Sequence, residues 1–410
     1  EHYLVPTKVA DLMIPDEQVG MVLEHETIEP VTYCVEWCPS MLRDAALALL
    51  DLSVELAGSD SILQDCYPWN VVFRGPTPVI VDFTSIVPSE TWLLWPAYEQ
   101  FQAFFLRPLR LASQKKGSFV RALLYNNIFG ISVDDLVSNS STTYKITHPE
   151  LMLQGGVSLF LDRHTNVRAR LRQTMEKRKQ NIDPAVRKKF FQGLIGKVGR
   201  FQFHHSGDVW TDYYDRIPMQ VDKKAKLNVI SECLNRLKPK TVADLGCNTG
   251  VFSVLAARQG ASVLAMDNSE ASIERLYQVS KDKQHQIVPL IVNVLSPTPS
   301  FGFLGKQYPS LIERAKSELV LCLGLMHHLH IAGRQSFPRI AEMMDCLSSR
   351  HLIFEYVDPA DDNNLLLEAG RPIHYSMENV RESLSQYFPE MEILPSDRPT
   401  RQILVCSKRR

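Results

Sequence analysis

Residues 242–269, VADLGCNTGVFSVLAARQGASVLAMDNS, constrain the fold of this chain more than any other stretch. A short apolar run carries an acid, Asp244, into a turn bracketed by Gly246 and Gly250, where a side chain would block the close approach of a ligand. A helical pattern follows, and a second apolar run closes on an acid, Asp267, about 20 residues beyond Gly246. Strand, glycine turn, helix, strand and acid in that order open a parallel sheet whose ligand lies at the carboxyl rim.

The rest of the C-terminal half keeps the same rhythm. Helical periodicity over 225–237, 251–259, 269–281, near 309–315 and over 335–347 alternates with apolar strands at 241–246, 262–267, 287–294, 318–324 and 351–357. That predicts an α/β, Rossmann-like domain with a doubly wound, mostly parallel sheet. Ligands of such sheets bind outside the carboxyl ends of the strands. One rim therefore gathers the 246–250 turn, Asp267, Asn293 and the histidines of LCLGLMHHLHI (321–331).

Two cofactors fit an acid that reaches ribose hydroxyls beyond a glycine turn: a dinucleotide and S-adenosylmethionine (SAM). The dinucleotide fingerprint needs G-x-G-x-x-G, and here Asn248 takes the middle position with no third glycine after it. An acid at Asp244 suits a ligand that carries an ammonium and a sulfonium in place of a pyrophosphate. The motif assigns SAM.

At these residues the chain resembles class I SAM-dependent methyltransferases, and especially the bacterial nodulation-type methyltransferases with an extra N-terminal region. The resemblance covers most of the chain. It rests on DLGCNTGVFS, IVPLIVNVLSPTPSFGF, LGLMHHLHI and IFEYVDPADD in the C-terminal half, and on VEWCPSMLRDAALALLDL, LQDCYPWNVVF, VIVDFTS and WPAYEQFQAFFLRPL before it. It implies that Asp244, Gly246, Asn248 and Gly250 cradle the methionine part of the cofactor and that Asp267 meets the ribose. Where the family usually places an acid near the adenine this chain has Asn293, whose amide oxygen can accept from the adenine amine. The family's aromatic-plus-charged pattern after the prolyl stretch is altered here to FGFLGKQ. By the same resemblance WTDYYDRIP (210–218) covers the cofactor, against core packing for Trp210 and Tyr213.

Methyl transfer from a sulfonium is an in-line displacement that needs alignment and, for an oxygen or nitrogen acceptor, removal of a proton. Histidine is the natural base at neutral pH. His327 and His328 follow the fourth strand, and neighbours on an extended chain cannot both face one pocket. The reading turns His328 to the substrate and His327 to the structure. Glu355 and Asp358 end the fifth strand beside them, to orient a histidine or hold a substrate amine. Two histidines plus carboxylates can hold iron, manganese or zinc, but adjacent histidines rarely chelate one ion, so no metal is assigned. His330 is expected to face solvent. Arg371, His374 and Tyr375 are read as substrate contacts or structural residues ahead of a helix capped by Ser376.

The N-terminal half, 1–200, reads as a mixed, largely helical domain ahead of a methyltransferase domain at 201–410. An amphipathic helix is expected over 39–57, two strands with a Gly-Pro turn over 70–83, and buried helices over 92–137. Asp65, Asn70 and Asp82 are spaced like the catalytic loop and metal-binding acid of kinases, but no phosphate-cradling loop and lysine precede them in 1–64. The spacing is read as a kinase-like fragment kept as scaffold, or as ordinary Asx-turn chemistry. By the family resemblance, this module helps form the substrate pocket or a homodimer contact.

Composition narrows the partners. Net charge is −1, which argues against wholesale polyanion binding. Yet 163–200 holds twelve Lys/Arg against Glu176 and Asp183, a solvated connector or a docking face for RNA or an acidic carrier. No leader pattern or membrane-length apolar run is visible, and the eight cysteines read as reduced thiols of a cytoplasmic protein. The expected function is SAM-dependent methylation of an oxygen or nitrogen, less readily a carbon, of a small molecule, glycan or carrier-bound intermediate. An RNA methyltransferase using 163–200 and a non-catalytic SAM-binding module stand as rivals.

Overall fold

The computed structural model describes residues 3–12, 14, 19–89, 94–126, 129–164, 166, 167, 170, 182–203, 223–362, 364 and 374–409. Contacts divide them into two compact units: 1–28, 32–73 and 78–205 in one, and 29–31, 74–77 and 206–410 in the other.

In the first unit a 19-residue helix, Pro39–Ala57, buries Met41, Leu42, Leu49 and Leu50, and helix Pro184–Gly199 packs along it. Pro39 and Pro184 each start a helix, where a missing N–H is no loss. Aromatic rings fill the space between the helical segments: Trp95 meets Phe101 and Phe191 at 5.1 Å each. A short antiparallel strand pair, Ser61–Leu63 against Ile86–Pro88, completes the unit.

The second unit is built on a seven-stranded sheet. Helix α1 (Lys223–Leu237) leads to β1 (Thr241–Leu245), α2 (Val251–Arg258), β2 (Ser262–Asp267), α3 (Glu270–Lys283) and β3 (Ile287–Ile291). Then come α4 (Leu311–Arg314), β4 (Ser317–Cys322), α5 (Phe337–Leu347), β5 (Ser348–Val357), α6 (Met377–Ser385), β6 (Glu390–Pro395) and β7 (Arg401–Ser407). The sheet order is β6-β7-β5-β4-β1-β2-β3, with β1 to β5 parallel and β6 and β7 antiparallel. Central strands such as β4, fully apolar from Leu319 to Cys322, are covered on both faces and so show no alternation. The chain winds outward one way through β2 and β3 and the other way through β5, so the switch point lies between β1 and β4.

Two features depart from the sequence reading. The antiparallel strands β6 and β7 were not expected, because β7 follows β6 with no helix between them and so breaks the strand–helix alternation. The histidine segment is a helical turn, His328–Ala332, and not an extended chain. Among the described residues no helix is long and apolar enough to cross a membrane.

Candidate functional site

The turn after β1 is wound tightly, with Gly246 at φ 67°, Asn248 at 52° and Gly250 at 81°. A Cβ on Gly250 would stand 2.3 Å from Leu276 Cδ1 on α3, and one on Gly246 would stand 3.2 Å from Leu325 Cδ1. The glycines are thus required by the left-handed backbone and by neighbouring side chains, in addition to any ligand. Asp267 ties the turn to β2. Its Oδ2 accepts from the Asn248 N–H at 2.8 Å and its Oδ1 from the Ser269 N–H at 2.8 Å. A carboxylate accepts about four hydrogen bonds, so two backbone donors orient it without exhausting it. Asn248 in turn accepts from the Thr249 N–H at 2.6 Å through its own Oδ1.

Asp244 is 2% exposed and accepts from Ser253 Oγ at 2.6 Å. Burial pushes its carboxyl up to about 6 against the pull of the Ser253 hydrogen bond; the Asp267 charge adds to the rise and Lys226 opposes it. Lys226, on α1, donates to Glu355 Oε2 at 2.6 Å and lies 5.2 Å from the Phe252 ring centroid. Glu355 is 0% exposed and also accepts from Ser396 Oγ at 2.7 Å. Burial alone would raise its carboxyl, but the Lys226 and Arg401 charges prevail and hold it below the usual carboxylate range. Two buried carboxylates, on β1 and β5, thus share one lysine. Nothing in the sequence marked Lys226, Ser253 or Ser396, since a lysine on an amphipathic helix reads as solvated.

Beyond β4, Gly324 at φ 62° breaks the strand and the chain winds into the histidine turn. The Gly333 N–H reaches the His328 carbonyl at 2.8 Å, a five-residue step that makes the turn a π-helix, a form frequent at functional sites. His327 is 2% exposed, and its Nδ1 has no hydrogen-bond partner among the described residues. Burial pushes its imidazole down to about 3, and the charges of His328 and Arg401 push the same way. His328 is half-buried, its ring 4.3 Å from that of His327; burial and then Arg401 lower its affinity for a proton. Arg401 itself is anchored to Asp361 by paired bonds, Nε to Oδ2 at 2.9 Å and Nη2 to Oδ1 at 3.1 Å. Thr400 Oγ1 adds a third at 2.7 Å. The sequence reading passed over Arg401 and Asp361, whose 40-residue separation hides the pair.

The remaining candidates fall as follows. His330 is half-buried: it stacks on Phe337 at 4.2 Å, and its Nδ1–H donates to the Gln335 carbonyl at 2.8 Å. Asn293 is exposed beyond β3, with Oδ1 accepting from the Leu295 N–H at 3.1 Å. Asp358 Oδ1 accepts from the Ala360 N–H at 2.9 Å. Tyr375 is buried and donates to the Val357 carbonyl at 2.5 Å. Trp210, Tyr213, Arg371 and 171–181 of the basic segment lie outside the described residues. In the first unit Asp82 accepts from Asn70 Nδ2 at 2.8 Å, from the Thr84 and Ser85 N–H groups at 3.1 and 3.2 Å, and from both of their hydroxyls. The kinase-like spacing serves here to cap a short turn, Phe83–Ser85, as Asx chemistry does.

The site's donor set fits SAM. No family model matches the chain. The nodulation protein NoeA of Rhizobium meliloti (strain 1021) is 26% identical over 383 residues, 90% of this chain and 78% of that protein. The cypemycin N-terminal methyltransferase of a Streptomyces species is 27% identical over 135 residues, 32% of this chain and 52%, about half, of that relative. The crystal structure of magnesium protoporphyrin IX methyltransferase from Synechocystis PCC 6803 with bound SAM aligns at TM-score 0.32 and 16% identity, over 50% of this chain and 87% of that one. Sequence kinship and the chemistry of the rim agree in supporting a class I S-adenosylmethionine-dependent methyltransferase.

Proposed function

We propose that the protein methylates an oxygen or nitrogen of a small molecule, glycan or carrier-bound intermediate, with His328 as the proton acceptor. The observation that carries this reading is the histidine pair at the carboxyl end of β4, on the rim that holds the 246–250 turn and Asp267. SAM, when bound, supplies an electrophilic methyl group on sulfur. Asp244 and the backbone of Gly246, Asn248 and Gly250 would hold its methionine part, Asp267 its ribose and Asn293 its adenine edge. His328, kept neutral by burial and by Arg401, can take the proton that a hydroxyl or ammonium gives up. His327, buried and neutral, packs against it and fixes the ring that faces the acceptor. Glu355 acts at one remove, anchoring Arg401 and Lys226 electrostatically at the base of the site.

Domain limits of 1–200, mixed and largely helical, and 201–410 accompany this reading, as does a cytoplasmic setting. The test is single substitution with two readouts: SAM affinity by calorimetry, and release of the demethylated cofactor in the presence of hydroxyl- and amine-bearing acceptors. His328→Ala should keep SAM affinity and lose roughly a hundredfold or more in rate, the usual worth of a positioned base. Retained turnover would move the base elsewhere. SAM binding without turnover on any acceptor would make the wild-type chain a binding module. Turnover on RNA alone, steeply salt-dependent, would favour the basic segment.

A further inference from the structure

Beside the histidine turn, the second unit carries a cleft of 540 Å³, within the range of small-molecule sites. Much of its wall is apolar, with Val294 and Leu295 just past Asn293, Ile312 on α4, Leu329 in the histidine turn, and Ile340 and Met343 on α5; Gln335, Arg339 and Glu342 make a polar side. No aromatic ring is among the described lining residues. The α5 residues that line it include Arg339, Met343 and Cys346, a stripe on one helix face about 10 Å long. A cleft with an apolar side, a polar side and no ring to stack on suits an aliphatic chain with a polar head better than a flat heterocycle.

Two further observations point the same way. Arg339 is 71% exposed along its side chain and donates to Glu342 through Nη1 at 2.8 Å, so its guanidinium is open to a carboxylate or sulfate head at the edge of the trough. The connector from β3 to α4, which supplies Val294 and Leu295, also raises an apolar tip: Phe303 is 79% exposed and Leu304 78%. That tip is held in place. Phe301 and Tyr308 exchange two backbone hydrogen bonds of 3.1 Å beneath it, and their rings lie 4.8 Å apart. Leu304 sits at φ 57°, a left-handed conformation that a branched side chain adopts only where the surroundings impose it.

We propose that this cleft and the Phe303 and Leu304 tip bind the aliphatic chain of an anionic or polar-headed amphiphile, carried by the methyl acceptor. That the chain belongs to the acceptor rests on the methyl-transfer reading; that the cleft takes a chain does not. Leu329 and Leu295 connect the cleft with the methyl-transfer site: both line the cleft, Leu329 belongs to the turn that carries His328, and Leu295 lies against Gly333 at the end of that turn.

Cys346 supplies the test. Of the eight cysteines it alone is exposed, and it lines the trough. Its alkylation by iodoacetamide should slow with octanoate and more with dodecanoate, in solution below micelle formation. Half-protection should come at about fourfold lower concentration per methylene, the ~0.8 kcal/mol of a buried CH₂. Acetate should not protect. Replacing both Phe303 and Leu304 by Asp, at exposed positions that folding does not need, should weaken protection about tenfold or more and leave SAM affinity unchanged. Protection in the His328→Ala variant should match wild type, so failure of the base assignment would leave this result standing. Unchanged alkylation at every chain length, equal protection by acetate, or protection from raising protein concentration alone would overturn the proposal. So would protection by phosphatidylcholine vesicles without any by the soluble chain, which would mark a membrane surface.

Discussion

Asp244 and His327 are both buried ionisable groups at the rim, and burial displaces them in opposite directions. Asp244 is held up to about 6 from an ordinary 3.8, so its share of stability is present below 3.8 and is lost as pH rises towards 6. His327 is held down to about 3 from 6.5, so its share is present above 6.5 and is lost as pH falls towards 3. A bound cation favours the ionised form of Asp244. SAM affinity should therefore rise with pH between about 5 and 7, with release of up to one proton, and Asp244→Asn should flatten that dependence. Calorimetry in buffers of different ionisation enthalpy measures the proton directly; an unchanged slope in Asp244→Asn would rule out Asp244 as its source. Asp244 was legible in the sequence because it sits in a local motif. Its coupling to Lys226 was not, because the lysine comes from a different element.

Elements β1 to β5 could be read from the sequence because each carries its own apolar run and each helix its own period. Strand β6, EMEILP, is an edge strand with mostly exposed residues, and so has no buried face to announce it. The histidine segment was misread for a related reason. LCLGLM is as apolar as a strand, yet Gly324 turns the backbone left-handed and the histidines wind into a helix. The glycine turn was read correctly as a turn but for an incomplete reason, since α3 also demands it. Gly250→Ala would place a methyl at φ 81° and within 3 Å of three Leu276 atoms. A loss of roughly 2–4 kcal/mol is expected from the strain and the overpacking together. Adding Leu276→Ala should recover the clash but not the strain, so in a double-mutant cycle the pair should cost less than the sum of the single variants. Strict additivity in chemical denaturation would show that Leu276 does not set the glycine requirement.

Over the whole molecule, 45 basic residues nearly cancel 46 acidic ones, and that balance conceals how the charges are placed. Lys226 and Glu355 lie 129 residues apart in sequence and meet at 2.6 Å, with side chains 12% and 0% exposed. No sequence pattern predicts such a pair, because neither periodicity nor spacing carries the information; only the closing of the sheet brings α1 against β5. A buried pair is costly to break because the partner left behind is a charge without solvent. Lys226→Met should thus destabilise by roughly 3–5 kcal/mol. It should also raise the Glu355 carboxyl, whose depression rests first on overcoming burial and then on Lys226 and Arg401. Lys226→Met combined with Glu355→Gln should restore much of that stability, since no buried charge is then left alone. SAM binding separates this structural share from any role at the site. If Lys226 serves only to neutralise Glu355, the double variant should bind SAM as wild type does. If it also balances Asp244, whose carboxyl its charge lowers, the double variant should recover stability while its SAM affinity gains a steeper dependence on pH. A double variant no more stable than Lys226→Met would mean that the pair's geometry, and not its charge, holds α1 to the sheet.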